Sequence, residues 1–400
     1  MLLCNNNKAP QDICMPSYDS VPRYAVVPSP LLLRDLEERQ DHKALSQDFV
    51  ATFTHAVQGL ESCQPAAFQE CYPSSLLQHC QKIGEGLYGE VFLYRNPTGG
   101  TTVMKVIPMG GTLPVNGEAQ KQLHEVLPEV LIATKLSNLR YQRANQTHAF
   151  IEVKSVRCVR GLYPEKLLDL WNDYKETKGS ENDSPEIFDE RQRFMVLETS
   201  YGGCDMEAFG FADAAQSYSM FLQVCSLPFH RIVLALAIAE EELEFEHRDL
   251  HWGNILLARV PEDEKVNFTY KGHEISLESH GVKVSIIDFT MSRISLNQVA
   301  VYTDLANDCG VFNGSGDYQY EIYKQMQKKN QNEWSHFDAF SNILWLSYML
   351  DKTITALRYS NAHSKQHKKY MSKLKVLNLE ILGFDSVNDF ALNLPQTSSQ

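Results

Sequence analysis

Residues 247–254 read His-Arg-Asp-Leu-His-Trp-Gly-Asn, and no other octapeptide of the chain carries as much chemistry. Asp249 and Asn254 have four residues between them. In phosphoryl transfer, an Asp so placed accepts the proton of the attacking hydroxyl, and the Asn helps to hold a magnesium ion. His-Arg-Asp alone recurs in unrelated loops, so the reading needs partners in a fixed order along the chain.

Those partners are present. Gly84-Glu-Gly86-Leu-Tyr-Gly89-Glu-Val91 has the Gly-x-Gly-x-x-Gly-x-Val spacing, in which glycines let the backbone approach phosphate oxygens. Dinucleotide-binding folds share the spacing but follow it with a helix. Here Val91-Phe-Leu-Tyr94 reads as a strand, so a phosphate lid on a hairpin is the better reading, and Ile83, Gly84, Glu85, Gly86, Gly89 and Val91 are its expected ATP-facing residues. Lys105 stands sixteen residues after Gly89 in Val-Met-Lys-Val, where a strand lysine reaches the phosphates. Its orienting carboxylate is expected from the next helix, Glu129 in preference to Glu125. Ile286-Ile-Asp288-Phe-Thr290 brings a second metal ligand at the end of an apolar strand, making Asp288 and Asn254 the expected magnesium pair. Glu198-Thr199-Ser200-Tyr201 reads as a hinge whose backbone pairs with adenine, with Thr199 at its back wall. Glu198, Ser200, Tyr201, Gly202 and Gly203 therefore join the ATP-binding set. Asp317, opening a later helix, is expected to brace the catalytic loop through backbone N–H groups.

The elements that must position these residues follow a simple order. Residues 1–30 contain Pro10, Pro16, Pro22, Pro28 and Pro30 among Asn and Ser and read as an unstructured arm. Residues 31–80 read as a helical N-terminal extension, with pieces at 31–39, 49–60 and 75–80. From Ile83 the pattern turns strand-like. Residues 118–138 read as helical with a restart at Pro128, because proline disfavours a helical Leu127 but suits a first turn. The N-lobe and hinge are assigned to 81–201, with a polar insertion near 172–193. The C-lobe takes 202–390, with long helices at about 214–245 and strands near 255–258 and 282–287, and 391–400 is a tail. Glu240, Glu241, Glu242, Glu244 and Glu246 read as a solvated helix face. The class is α+β, a bilobal fold with a small β-rich N-lobe and a mainly helical C-lobe.

Four hundred residues, 43% hydrophobic and 22% charged, are an ordinary globular composition. No run reaches the roughly 18 apolar residues of a membrane span, and the first residues lack the apolar core of a secretion signal, so no membrane association is expected. Nine cysteines form no Cys-x-x-Cys pair, which indicates neither zinc nor a disulfide framework and makes a reducing compartment the default. A formal charge of −13 argues against direct nucleic-acid binding. It suits a basic partner, with solubility as the plainer explanation.

Two departures narrow the family. Thr290 follows Asp288-Phe289 where protein kinases ordinarily have Gly, and no Ala-Pro-Glu occurs downstream. Aminoglycoside and choline phosphotransferases share the His-x-Asp-Leu-His-x-Gly-Asn pattern, but their loop lacks the Arg. From Cys71 to Lys352 the chain more closely resembles the haspin family. The resemblance is carried by Lys82-Ile-Gly-Glu-Gly, Leu127-Pro-Glu-Val, Phe245-Glu-His-Arg-Asp-Leu-His-Trp-Gly-Asn, Val284-Ser-Ile-Ile-Asp-Phe-Thr-Met-Ser-Arg and Phe312-Asn-Gly-Ser-Gly-Asp-Tyr-Gln-Tyr-Glu-Ile-Tyr.

That resemblance implies an ATP- and magnesium-dependent serine/threonine kinase that is active without activation-loop phosphorylation. Its implied substrate is a threonine near the amino terminus of core histone three, bound in an acidic groove at Glu85, Asp205, Glu207 and Asp308 with His251 nearby. Gly310 replaces a second groove acid. Asp205 and Glu207 also read as N-terminal helix charges after Gly202-Gly203. The implied setting is the nucleus and mitotic chromosomes, with the cytoplasm as a second location, chromatin-associated partners and a monomeric state. The rival readings are a small-molecule phosphotransferase and a pseudokinase scaffold. The scaffold is disfavoured because Lys105, Glu129, Asp249, Asn254 and Asp288 are all present.

Overall fold

The computed structural model describes residues 65–95, 99–221 and 231–393. The expectations for the 1–30 arm, for helical pieces at 31–39 and 49–60, and for residues 394–400 lie outside the described residues.

Strands β1 (Gln81–Gly86), β2 (Gly89–Arg95) and β3 (Thr101–Met109) run antiparallel. Their alternation sets the two faces of the sheet. Phe92, Tyr94, Met104 and Val106 point to one side, where they meet Phe68, Tyr72, Leu77, Tyr163 and Phe194. Ile107, Met109, Met195 and Leu197 point to the other, under helix α1 (Leu123–Asn138) through Val126 and Val130. Strands β4 (Val153–Arg160) and β5 (Arg193–Ser200) complete the sheet, with β5 between β3 and β4. A two-residue strand, Ala66–Ala67, adds to β4 in parallel, so the segment before Ile83 is not purely helical.

Helix α1 does not restart at Pro128 but runs through it. A Gln122–Glu125 capping box fixes the start. A proline this close to the N-terminus leaves only one carbonyl, that of His124, without its intrahelical donor, and burial of Val126, Leu127 and Val130 on either side holds the helix. The polar stretch at 172–193 begins inside helix α2 (Glu165–Lys178), which buries Leu167 and Trp171, and continues through a single turn at Pro185–Ile187 to the first residue of β5.

The second lobe opens with the short strand β6 (Cys204–Asp205). Two helices, α3 (Ala214–Phe221) and α4 (Arg231–Leu243), occupy the span read as 214–245. Strands β7 (Ile255–Arg259) and β10 (Val282–Ile286) pair antiparallel, Ile255 opposite Ile286. Between them lies an unforeseen hairpin, β8 (Lys265–Tyr270) and β9 (His273–Glu278). A second one, β11 (Arg293–Leu296) and β12 (Val299–Tyr302), follows Thr290. Helices α5 (Cys309–Asn313), α6 (Gln319–Lys329), α7 (Phe340–Thr355), α8 (Lys365–Glu380) and α9 (Val387–Asn393) complete the lobe. Residues 391–393 thus end a helix rather than starting a tail. Helix α7 is apolar on nearly every side and buried from Ser341 to Leu350, as a helix at the centre of a lobe must be. Among the described residues no helix is long and apolar enough to cross a membrane.

Candidate active site

Pairing of β7 with β10 brings the metal-ligand candidates together. Asn254 precedes β7 and Asp288 follows β10, and the Ile287 N–H donates to the Asn254 carbonyl at 3.0 Å. The Asn254 side-chain amide donates to the Asp249 carbonyl at 2.8 Å, which leaves its oxygen for a cation. Thr290, the departure from Gly, has a definite task. Its Oγ1 donates to Asp288 Oδ1 at 2.6 Å and its N–H to the same atom at 3.2 Å. Burial would raise the Asp288 pKa, but Lys105 and the two Thr290 donors outweigh it and hold the carboxyl down at about 2. Asp288 is therefore a permanent anion.

Lys105 lies opposite Val91 in the β2–β3 ladder and meets Glu129 at 2.7 Å. Glu129, not Glu125, is its partner, since Glu125 closes the helix capping box. Burial works against the ammonium, yet Glu129 and Asp288 raise its pKa. The glycine loop divides by function. A Cβ on Gly89 would lie 2.4 Å from the Val106 carbonyl oxygen, so the fold itself demands glycine there. Gly84 and Gly86 have open space where a Cβ would stand, so nothing within the protein demands glycine at either. An open cradle, a fixed cation and an ionised carboxylate fit a magnesium–nucleotide triphosphate.

Asp249 is held by the loop and by α6. Tyr323 Oη donates to its Oδ1, while Oδ2 lies 3.4 Å from Asn254 Nδ2 and 3.9 Å from His251 Nε2. Burial lifts the Asp249 carboxyl to about 8, with Asp288 adding to the shift and the hydrogen bonds opposing it. Arg248 and Asp288 adopt left-handed φ values of 65° and 60°. Each costs roughly 1–3 kcal/mol, a strain that clusters at functional sites.

Asp317 does not brace this loop. It caps Gln319 N–H at 3.0 Å and pairs with Lys352. The brace is Asn342 of α7, which accepts the His247 N–H at 3.0 Å and donates to the Phe245 carbonyl at 2.8 Å and to Glu240 at 2.9 Å. The glutamates are not a uniform solvated face either. Glu240 and Glu246 are buried. Glu246 chelates Arg248 through Nε at 3.1 Å and Nη2 at 3.0 Å. The single sequence signal was their position beside an apolar helix and the catalytic loop, and it did not separate buried from exposed acids.

Of the expected hinge, Glu198 lies inside β5 between Met104 and Ser155, and its side chain accepts from Tyr94 and Ser155, so its carboxylate is a buried anchor for the sheet. The Ser200 N–H is taken by the Glu152 carbonyl at 2.8 Å. Tyr201 is exposed and leads into Gly202 and Gly203. Both glycines are forced by packing: a Cβ on Gly203, at φ 100°, would stand 2.0 Å from the Leu257 oxygen, and one on Gly202 would strike Leu256.

Of the groove candidates, Asp205 and Glu207 flank Met206, whose N–H bonds the Trp252 carbonyl at 3.3 Å and so ties them to the catalytic loop. No helix follows them; Asp205 Oδ1 instead caps the Ala208 N–H at 2.7 Å. Burial raises the Tyr348 phenol, and Asp317, Asp249 and Glu207 all add to the rise. Asp308 caps α5 through Val311 N–H at 3.1 Å and acts on Tyr88 at the tip of the glycine loop. Glu85 does not join them. Its carboxylate is taken by Lys82 at 2.6 Å, Ser180 at 2.7 Å and the Glu181 N–H at 3.2 Å.

A six-stranded sheet carrying α1 and α2, set over a helical lobe and enclosing Lys105, Glu129, Asp249, Asn254 and Asp288, defines a protein-kinase-like phosphotransferase domain. Comparison with known proteins sharpens this. Residues 40–382 match the model of the haspin-like kinase domain, and the chain belongs to that family. It is 40% identical over 335 residues to the serine/threonine-protein kinase haspin homolog of Drosophila melanogaster, covering 82% of this chain and 58% of the relative. Identity is 38% over 328 residues to haspin of Mus musculus, 81% and 42% of the two chains. It is 34% over 357 residues to the Arabidopsis thaliana homolog, 85% and 56%. The chain thus spans about half the length of these relatives.

Proposed function

We propose that the protein transfers the γ-phosphoryl group of magnesium–ATP to a serine or threonine hydroxyl on a basic protein tail, and that this tail is the amino terminus of core histone three in mitotic chromatin. The observation that carries the chemistry is the assembled pair of arms: Lys105–Glu129 at 2.7 Å on one lobe and Asp249, Asn254 and Asp288 on the other. Asp288 and the Asn254 amide oxygen would hold magnesium, which neutralises charge on the phosphates. Lys105 steadies the phosphates, and the Gly84–Gly86 backbone covers them. Asp249 takes the proton of the substrate hydroxyl as its oxygen attacks phosphorus, and ADP leaves.

The substrate reading is supported by Asp205 and Glu207, which the Met206 N–H ties to the catalytic loop, by Asp308 at the start of α5, and by the acidic balance of the chain. A histone tail offers an amine, an arginine and a lysine close to its threonine, and these cations match those acids. Location on chromosomes in the nucleus, chromatin-associated partners and a monomeric state belong to this proposal. Purified protein, magnesium–ATP and a core-histone mixture should give phosphate on one threonine near the amino terminus of histone three. Phosphorylation of aminoglycosides or choline in place of protein would reject the reading.

A further inference from the structure

We infer that Tyr323 is a positioning residue for the base, fixing Asp249 so that Oδ2 rather than Oδ1 receives the substrate proton. This rests on the kinase reading above. The donor comes from outside the catalytic loop. Tyr323 projects from α6, whose buried stripe is Ile322, Tyr323 and Met326. Its ring stands edge-on to Trp345, centroids 5.3 Å apart at 70°, and Trp345 is fully buried in α7. Two χ angles locked by a core indole leave the hydroxyl no other place to point.

That hydroxyl donates to Asp249 Oδ1. Burial and the neighbouring carboxylate both raise the phenol's pKa, so it remains a donor and never competes for the proton. Oδ1 takes the strong phenol bond while Oδ2 takes only the long 3.4 Å contact from Asn254, with His251 Nε2 at 3.9 Å, so Oδ2 keeps the more available lone pair. The carboxylate plane is thereby set by two independent supports, the loop amide and the α6 phenol. A carboxylate held by the loop alone could rotate about its Cβ–Cγ bond, which is a broad torsion, and offer a misdirected lone pair during much of its time. Positioning of this kind acts on the chemical step and leaves nucleotide binding alone.

The test is steady-state kinetics of Tyr323→Phe on a histone-three tail peptide, with thermal melting alongside. Phe keeps the ring against Trp345, so the melting temperature should stay close to wild type. The turnover number should fall by on the order of ten- to a hundredfold, a part of what a general base supplies, and the KM for ATP should not move. In an Asp249→Asn background, followed by single-turnover assays, the same change should have no further effect, because nothing remains to be oriented. Active wild type with an equally active Tyr323→Phe overturns the inference alone, as does a Tyr323→Phe loss that persists in the Asp249→Asn background. A wild type that binds magnesium–ATP but phosphorylates no peptide overturns the kinase reading itself and the inference with it.

Discussion

Asp249 and Asp288 are both half-buried carboxyls in one cleft, yet their surroundings push them apart. Lys105 and Thr290 keep Asp288 ionised, while among the described residues no lysine or arginine pairs with Asp249, and burial lowers the pKa of its neighbour His251. Asp288→Asn should therefore weaken magnesium–nucleotide binding, measured by titration calorimetry. Asp249→Asn should leave that binding intact and lower turnover by on the order of 10²–10⁴. The glycine loop makes a second contrast. Gly89→Ala presses a methyl on the Val106 carbonyl and should cost about 1–3 kcal/mol of stability in denaturant. Gly86→Ala meets open space, so it should fold normally and raise the KM for ATP several-fold. In the sequence these glycines form one motif, and the residues that the fold brings together, Lys105, Glu129, Asp249, Asn254 and Asp288, were readable from type and spacing. The part each glycine plays was not readable, because it depends on a strand that the motif does not contain. Tyr323 was equally hidden, since a tyrosine 74 positions from the base carries no local signal.

Elements were legible where period and punctuation agreed. The glycine hairpin, Lys105's strand and the two strands that carry Asn254 and Asp288 follow from alternation alone. The β8–β9 hairpin was missed although Lys271-Gly272 is a two-residue turn, with φ 51° and 79°, between alternating runs. A glutamate run misled in the opposite direction. Glu240 is turned inward by α4 and accepts from Asn342, Asn388 and the Val387 N–H. Burial still wins and lifts its carboxyl from 4.5 to about 8. A group whose pKa is higher folded than unfolded gives stability that is complete below 4.5 and is lost as pH rises through about 8. The denaturation midpoint should fall across that interval, and Glu240→Gln should flatten the fall while lowering the midpoint at its acidic end. The segment 291–316 belongs to this scale too. It holds a hairpin and a helix, and Thr303 Oγ1 donates to the Thr290 carbonyl at 2.6 Å. Enzyme made in bacteria and treated with phosphatase should keep full activity; dependence on an upstream kinase would contradict this order.

Across the whole molecule, the acids outnumber the basic residues by 13, and the proposed groove draws on three of them, Asp205, Glu207 and Asp308. Asp205→Ala with Glu207→Ala should raise the KM for a histone-three tail peptide strongly and leave that for ATP unchanged. A charge-assisted contact is worth roughly 1.5–3 kcal/mol where water is excluded and far less at an open rim. Added salt should weaken peptide binding in wild type and do so less in the double variant. Asp308→Ala should cost more than Glu85→Ala, whose carboxylate is already engaged by Lys82 and Ser180. The two-lobed plan was plain from the order of strand-like and helical segments. What the sequence could not disclose was the facing of the acids, because facing is set by contacts between distant elements.

Arg248 is fully buried, chelated by Glu246, bonded to the Trp334 carbonyl at 2.8 Å and laid against the Trp334 ring. A guanidinium so enclosed has no face left to receive a phosphate from outside. Adding phosphate to the neighbouring segment would therefore meet no waiting counter-charge at Arg248, and the covalent switch that such an arginine can serve is not open to this side chain.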